Sequence, residues 1–310
     1  MTTTIIDHVA RFLEINRSLG YRYAQPEQVL RSFARFAEAR NETYVRSETA
    51  LEWASASRTA SSAFQVTKLR MVSDFAEWLH AEDDRHEIPP RDAFGPLNQR
   101  RPQPHLMSVA DIRKLLTAAL SMGPAATIAP LTWHYLFGLI AATGLRLGEA
   151  LALTLDDITP DGLVIREAKF GKTRLVALHP TSWDALNIYL KARLKEATRD
   201  RHLFVIATGH PPALDTVNAV FRRLAVRTGL RSPGAGRGPT ARSLRHSFAV
   251  RSLEALAPGA SPDRHMLALA TYLGHVDVRS SYWYLESTPV LLRGIAEAVE
   301  RAHGSGGSHD

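Results

Sequence analysis

ATGLRLGEALALTLDD, residues 142–157, reads as the end of one helix, a turn and the start of a second. Thr143-Gly144 closes an apolar helix, since glycine tolerates the positive φ that a chain adopts just past a helix C-terminus. Leu145, Glu149 and Leu153 then recur every four residues, the spacing of one helical face. Arg146 falls in the first turn of that second helix, where free amides and the helix dipole favour anions. A guanidinium at such a place is a planar fork of donors suited to a phosphate. Taken alone it has an ordinary alternative, a solvated or ion-paired surface arginine.

Upstream, Trp133, Leu136, Leu139 and Ile140 mark the helix that ends at Gly144, and Gly123-Pro124 separates it from a preceding one. Ser108 followed by Asp111 predicts an N-cap for that earlier helix. Downstream the pattern shortens. Leu163-Val164-Ile165 and Arg174-Leu175-Val176-Ala177-Leu178 flank FGKT and predict two strands joined by a turn. Helices are expected again over about 180–197, 214–228, 240–256, 263–273 and 288–302. The last carries the apolar stripe Leu291, Ile295, Ala298, Val299 and Ala302. Helices, then a small sheet, then helices give a mainly α chain with a small antiparallel β-sheet (α+β) rather than an alternating βαβ chain.

Residues 1–82 predict four helices, the last with Phe64, Val66, Leu69, Val72, Phe75 and Trp78 at helical spacing. The aromatic residues there are expected in a core rather than against bases. Residues 83–104, rich in acidic residues and proline, predict a linker ending near Arg100 and Arg101, two cations placed to touch a DNA backbone. The expected organisation is therefore a helical domain over 1–82, a linker over 83–104, a second domain over 105–303 and a flexible tail over 304–310.

The 310-residue chain carries a net charge of +7, which points to an anionic partner, most commonly nucleic acid. It has no cysteine, which excludes disulfides, thiolate zinc sites and a cysteine nucleophile and fits a reducing cytoplasm. No apolar run reaches the roughly 18 residues of a membrane span, and MTTTIIDHVARF lacks the pattern of a secretion signal. Gly171-Lys172-Thr173 looks like the end of a phosphate-binding loop, but Arg166 stands where its first glycine belongs, so ATP use has no support. No HExxH or EF-hand pattern suggests a metal, and no cofactor is expected.

Three further clusters follow the opening stretch: Lys169 in EAKFGKTRLVAL, Arg245-His246 in ARSLRHSF, and His275 with Tyr284 in LGHVDVRSSYWYL. Together with Arg146 they resemble the tyrosine recombinase (phage integrase) family. The resemblance implies a helical core-binding domain and a catalytic domain that clamp duplex DNA. It implies Arg146 and Arg245 as the two catalytic arginines, clamping non-bridging phosphate oxygens. Lys169 would be the general acid in the hairpin, with Lys172 the competing choice and Arg174 beside it as a DNA contact. Arg242 stands where the family usually reads histidine; it cannot act as a base but can donate to phosphate. His246 is implied as a neighbouring, supporting or DNA-facing residue. Tyr284, nine residues after His275, is implied as the nucleophile, with Tyr282 about 200° away on a helix and so facing elsewhere.

The implied activity is site-specific recombination through a 3′-phosphotyrosyl intermediate, without metal or ATP. The YWYLESTP ending resembles integrases of transposon-type elements. The implied partners are double-stranded DNA, a homo-tetramer linked by exchange of the C-terminal helix, and co-encoded recombinases, in the bacterial cytoplasm. Two other readings share these residues: a type IB topoisomerase-like enzyme, and a DNA-binding paralogue that needs a partner for catalysis.

Overall fold

The computed structural model describes residues 4–21, 23–56, 62–95, 104–124, 126–168, 172–255 and 261–274. Arg100, Arg101, Lys169, His275, Tyr282, Tyr284 and the expected helix over 288–302 lie outside them, as does the side chain of Lys172. The chain divides into two compact units, Met1–Pro102 and Gln103–Asp310.

The first unit holds α1 (Ile5–Ser18), α2 (Ala24–Glu38), α3 (Ser47–Ser55) and α4 (Ser62–His80). Thr4 and Asp7 form a reciprocal capping box at the start of α1. Apolar positions at helical spacing close one core around Val9, Leu13, Leu30, Phe33, Leu69, Val72 and Phe75. Trp53 lies in that core, whereas Phe64, expected with the apolar face of α4, is exposed.

The segment after α4 behaves differently from the expected linker. His86 is only 2% exposed, and its Nδ1 accepts from the Val45 amide at 3.1 Å. Glu87 returns a backbone bond to Val45 and accepts from Arg46 and the Ser47 amide, both at 2.9 Å. The Ser73 hydroxyl donates to the Pro89 carbonyl at 2.9 Å. Residues 83–95 thus belong to the first unit. Their polar, proline-rich composition hides the fact that a few buried anchors bind them to α3 and α4.

The second unit is built on α6 (Ala129–Thr143), which is buried on almost every side. Such a helix has no polar stripe because neighbours cover it all round. Around it stand α5 (Val109–Ala119), α7 (Leu147–Ala152), α8 (Pro180–Arg193), α9 (Leu214–Arg227), α10 (Ala241–Glu254) and α11 (Pro262–Leu273). The Ser108–Asp111 capping box opens α5 as its spacing predicts.

A three-stranded antiparallel sheet runs β1 (Ile158–Thr159), β2 (Gly162–Ala168), β3 (Lys172–Val176) in that order. Leu163 pairs with Val176 and Ile165 with Arg174, before an irregularity between Ile165 and Ala168. Paired residues on antiparallel strands face the same side. Leu163, Ile165 and Val176 are buried, so Arg174 lies on the core face. Leu175, one residue on, is 49% exposed.

Candidate active site

The site begins at the closing turn of α6. Gly144 has φ 65°, and a Cβ there would lie 2.4 Å from the Phe248 ring and 2.8 Å from Leu273. The chain therefore passes so close to α10 and α11 that only glycine fits. Arg146 follows as the N-cap of α7, with Glu149 three residues later reaching back to its amide at 3.0 Å. Arg-x-x-Glu is the spacing at which an N3 carboxylate caps the first helical amides.

Arg146 Nη1 donates to Glu149 at 2.6 Å, and Nη2 donates to the Gly274 carbonyl at 2.8 Å. Arg174 reaches the same carboxylate from β3 with two parallel bonds, 3.0 and 2.7 Å, while its Nε donates to the Tyr272 carbonyl at 3.1 Å. From α10, Arg245 donates to the Gly144 carbonyl at 2.6 Å and to the Leu273 carbonyl at 2.9 Å.

Three arginines from three elements therefore converge on the consecutive carbonyls of residues 272, 273 and 274. These close α11, where carbonyls lack helical partners and the dipole favours cations. Gly274 has φ 67°, and a Cβ on it would come within 2.7 Å of Arg174 Nη1. In sequence, the next residue is His275.

Burial and charge sort these groups. The side chains of Glu149 and Arg174 are 10% and 13% exposed, that of Arg146 34%. Arg245 is 6% exposed. Burial acts to raise the Glu149 carboxyl, but the bonds from Arg174 and from the Arg146 amide outweigh it and hold it at about 2. His246, next to Arg245, is pushed down to about 4 by burial first and then by Arg242 and Arg245. It is a neutral imidazole at physiological pH. Arg242 lies one turn before Arg245 on α10 and is exposed. Two guanidinium groups share the Glu149 carboxylate and a third, Arg245, bonds the neighbouring carbonyls, which leaves an excess of positive charge, with Arg146 the most open of the three to solvent.

The structure thus brings Arg146, Arg245, Arg242 and His246 into one region, beside the C-terminal end of α11. Arg174, expected on the DNA side, faces inward with its fork filled by Glu149. Glu149 itself reads in the sequence only as a periodic helical position, although its spacing to Arg146 was the available signal. Among the described residues no group of three or more His, Cys, Asp or Glu side chains is arranged to hold a metal ion. Among them, too, no helix is long and apolar enough to cross a membrane.

A helical unit around a buried central helix, with this small sheet beside it, is the fold of tyrosine recombinase catalytic domains. Solved structures match it across the chain. The Tn1549 transposon integrase in complex with transposon right end DNA aligns with a TM-score of 0.64 at 17% identity, covering 91% of this chain and 94% of that one. The XerH site-specific recombinase bound to a palindromic difH substrate aligns at 0.65 and 20% identity, covering 90% and 79%.

Sequence relatives carry the assignment further. The Phage integrase family profile matches residues 106–289. The putative integrase/recombinase y4rB of Sinorhizobium fredii is 35% identical over 96% of this chain and 98% of its own. The tyrosine recombinase XerD of Rhizobium meliloti is 30% identical over 77% of this chain and 74% of its own. The chain belongs to the phage integrase family, the tyrosine-type site-specific recombinases.

Proposed function

We propose that this recombinase cuts and rejoins duplex DNA through a 3′-phosphotyrosyl intermediate, with Tyr284 as nucleophile. The observation that carries the reading is the convergence of Arg146 and Arg245 on the carbonyls of Gly274 and Leu273, immediately before the His275 box. The family match spans every residue from Arg146 to Tyr284.

In the reaction, the Tyr284 oxygen forms a bond to phosphorus as the bond to the 5′ oxygen breaks. The tyrosine proton passes to solvent water, its loss eased by the neighbouring cations, and Lys169 (or Lys172, the second lysine of the hairpin) protonates the departing 5′ oxygen. Arg146, Arg245 and Arg242 neutralise charge on the non-bridging oxygens, and His275 hydrogen-bonds the phosphate. The free 5′ hydroxyl of a partner strand then attacks the phosphotyrosine and releases the enzyme. Because bond energy is conserved, no cofactor enters the scheme. Arg100, Arg101 and His246 are assigned to DNA contact or its support.

Resemblance to transposon integrases supports movement of a mobile element as the role, in the bacterial cytoplasm. Assembly on DNA is proposed as a homo-tetramer joined by the helix over 288–302, with co-encoded recombinases as further partners.

The test is a nicked suicide duplex bearing the ends of the host element, incubated with wild type, Tyr284→Phe and Tyr282→Phe and run on a denaturing gel. An adduct lost only with Tyr284→Phe is the expected result. Loss only with Tyr282→Phe would move the nucleophile. Intact binding with no adduct from wild type would favour the partner-dependent reading, for which Arg242 in place of the family's histidine is the motive. Relaxation of plasmids lacking any specific site would favour the topoisomerase reading.

A further inference from the structure

Arg174 occupies an unusual place for an arginine. Its strand partner is Ile165, and the strand turns Leu175, not Arg174, outward. A charged side chain on the core face of a strand costs desolvation unless its donors are filled. Here they are filled: two parallel bonds go to Glu149 and a third to the Tyr272 carbonyl. The bidentate pair is the strong, geometrically specific form of the interaction, which a lysine cannot reproduce.

The same Glu149 carboxylate also holds the Arg146 amide and guanidinium. Arg174 and Arg146 therefore grip one carboxylate. The two guanidinium groups also reach the same helix terminus, at residues 272 and 274. Arg174 packs against that terminus closely enough that a Cβ at 274, where φ of 67° already favours glycine, would displace its guanidinium. Two residues before Arg174 on the same strand stands Lys172. One side chain thus ties together the lysine-bearing hairpin, the first arginine and the segment leading to His275.

We propose that Arg174 is a positioning residue of the active site, setting Arg146 and the α11 terminus in register with the β2–β3 hairpin through Glu149, and is not a contact to the DNA backbone. The proposal rests on the recombinase reading above. Its physical content is a division of labour: Arg146 keeps a solvent-facing share of its fork for phosphate, while Arg174 spends its own fork on the scaffold. Misplacing a reacting group by about 1 Å costs on the order of 100-fold in rate, so a residue of this kind acts on cleavage rather than on affinity.

The test compares wild type with Arg174→Met, Arg174→Lys and Glu149→Gln in two assays. One is the rate of adduct formation at saturating suicide duplex. The other is duplex affinity and its dependence on salt. All three variants are expected to lose about 10- to 100-fold in cleavage rate, with affinity and salt slope unchanged. The lysine variant is the sharpest: it keeps the charge, so a phosphate contact would tolerate it, whereas the paired bonds to Glu149 would be lost.

A salt slope that drops by about 1 with Arg174→Met and is restored by Arg174→Lys would mark a phosphate contact and overturn the proposal. Wild-type cleavage by Arg174→Met would overturn it as well. Should wild type form no adduct, the nucleophile assignment fails, and the affinity and salt measurements still decide whether Arg174 touches DNA. Should Arg174→Met not fold, Glu149→Gln decides: it removes the charge that both arginines share, and unchanged cleavage would refute the positioning role.

Discussion

The Arg245 guanidinium and the Gly144 carbonyl are 101 residues apart in sequence and 2.6 Å apart in the fold. This bond joins the last turn of the central helix to the helix that bears the second arginine. The same arginine continues to Leu273, so α6, α10 and α11 meet on one buried side chain. The chemistry proposed above depends on that junction, and it can be probed one element at a time.

Gly144→Ala should unsettle the junction without touching a charged group. The new methyl would overlap Phe248 and Leu273, and the left-handed backbone adds its own penalty. The expected cost is about 2–4 kcal/mol, combining overpacking with the αL penalty. Urea denaturation measures it, and a change below about 0.5 kcal/mol would contradict the close approach, since that is the level of an ordinary surface substitution.

Arg245→Ala leaves two buried carbonyls without this donor and removes a proposed transition-state cation. Adduct formation should fall by roughly 100- to 1000-fold, the scale for losing one oxyanion donor. Stability should fall by about 1–3 kcal/mol from the unsatisfied carbonyls. A suicide-substrate assay beside a thermal melt separates the two losses; near-wild-type adduct formation in a folded variant would remove Arg245 from the catalytic set.

His246 predicts a pH signature of stability. Its folded-state value is depressed to about 4 from the ordinary 6.5 by burial and then by Arg242 and Arg245. The unfolded chain therefore takes up a proton first as pH falls. The stabilising contribution is complete above about pH 6.5 and drains away between 6.5 and 4. The full effect is on the order of 2 kcal/mol after allowance for partial exposure. Denaturation of wild type and His246→Gln across pH 4–7 should show a shallower slope in the variant. Parallel curves would mean that the imidazole is not desolvated.

The first unit predicts its own boundary. A fragment of residues 1–102 should unfold cooperatively on heating, whereas 1–82 should melt lower or fail to fold. The shorter piece lacks His86, buried against Val45, and the Pro89 carbonyl that Ser73 bonds. Losing those buried partners exposes unsatisfied groups worth about 1–3 kcal/mol each. Equal melting of the two fragments would restore 83–95 to the status of a tether.

Much of this molecule is legible from local sequence because local forces decide it. The Thr143-Gly144 stop, the Ser108–Asp111 cap and the helical stripes of the first unit depend on residues within a turn or two of one another. The hairpin strands are visible for the same reason, although β1, only two residues long, leaves no period to detect. The motifs that carry the family resemblance are legible too, because each is contiguous in sequence.

What only the tertiary structure decided is where side chains point and which partners they find. Composition marks 83–95 as a linker, yet His86, Glu87 and Pro89 are bonded to Val45, to Arg46 and Ser47 at the start of α3, and to Ser73 of α4. The run Arg174-Leu175-Val176 suggests an apolar strand with an outward cation. Pairing with Ile165 turns the cation inward and the leucine outward. Glu149 looks like one helical position among many until Arg174, 25 residues on, arrives from the sheet. Sequence determined most of the described elements and the kit of charged residues, since those follow from local periodicity and residue chemistry. The fold decided which charges face solvent and which hold the scaffold, because a strand's register and a helix terminus's neighbours are set by contacts between distant segments.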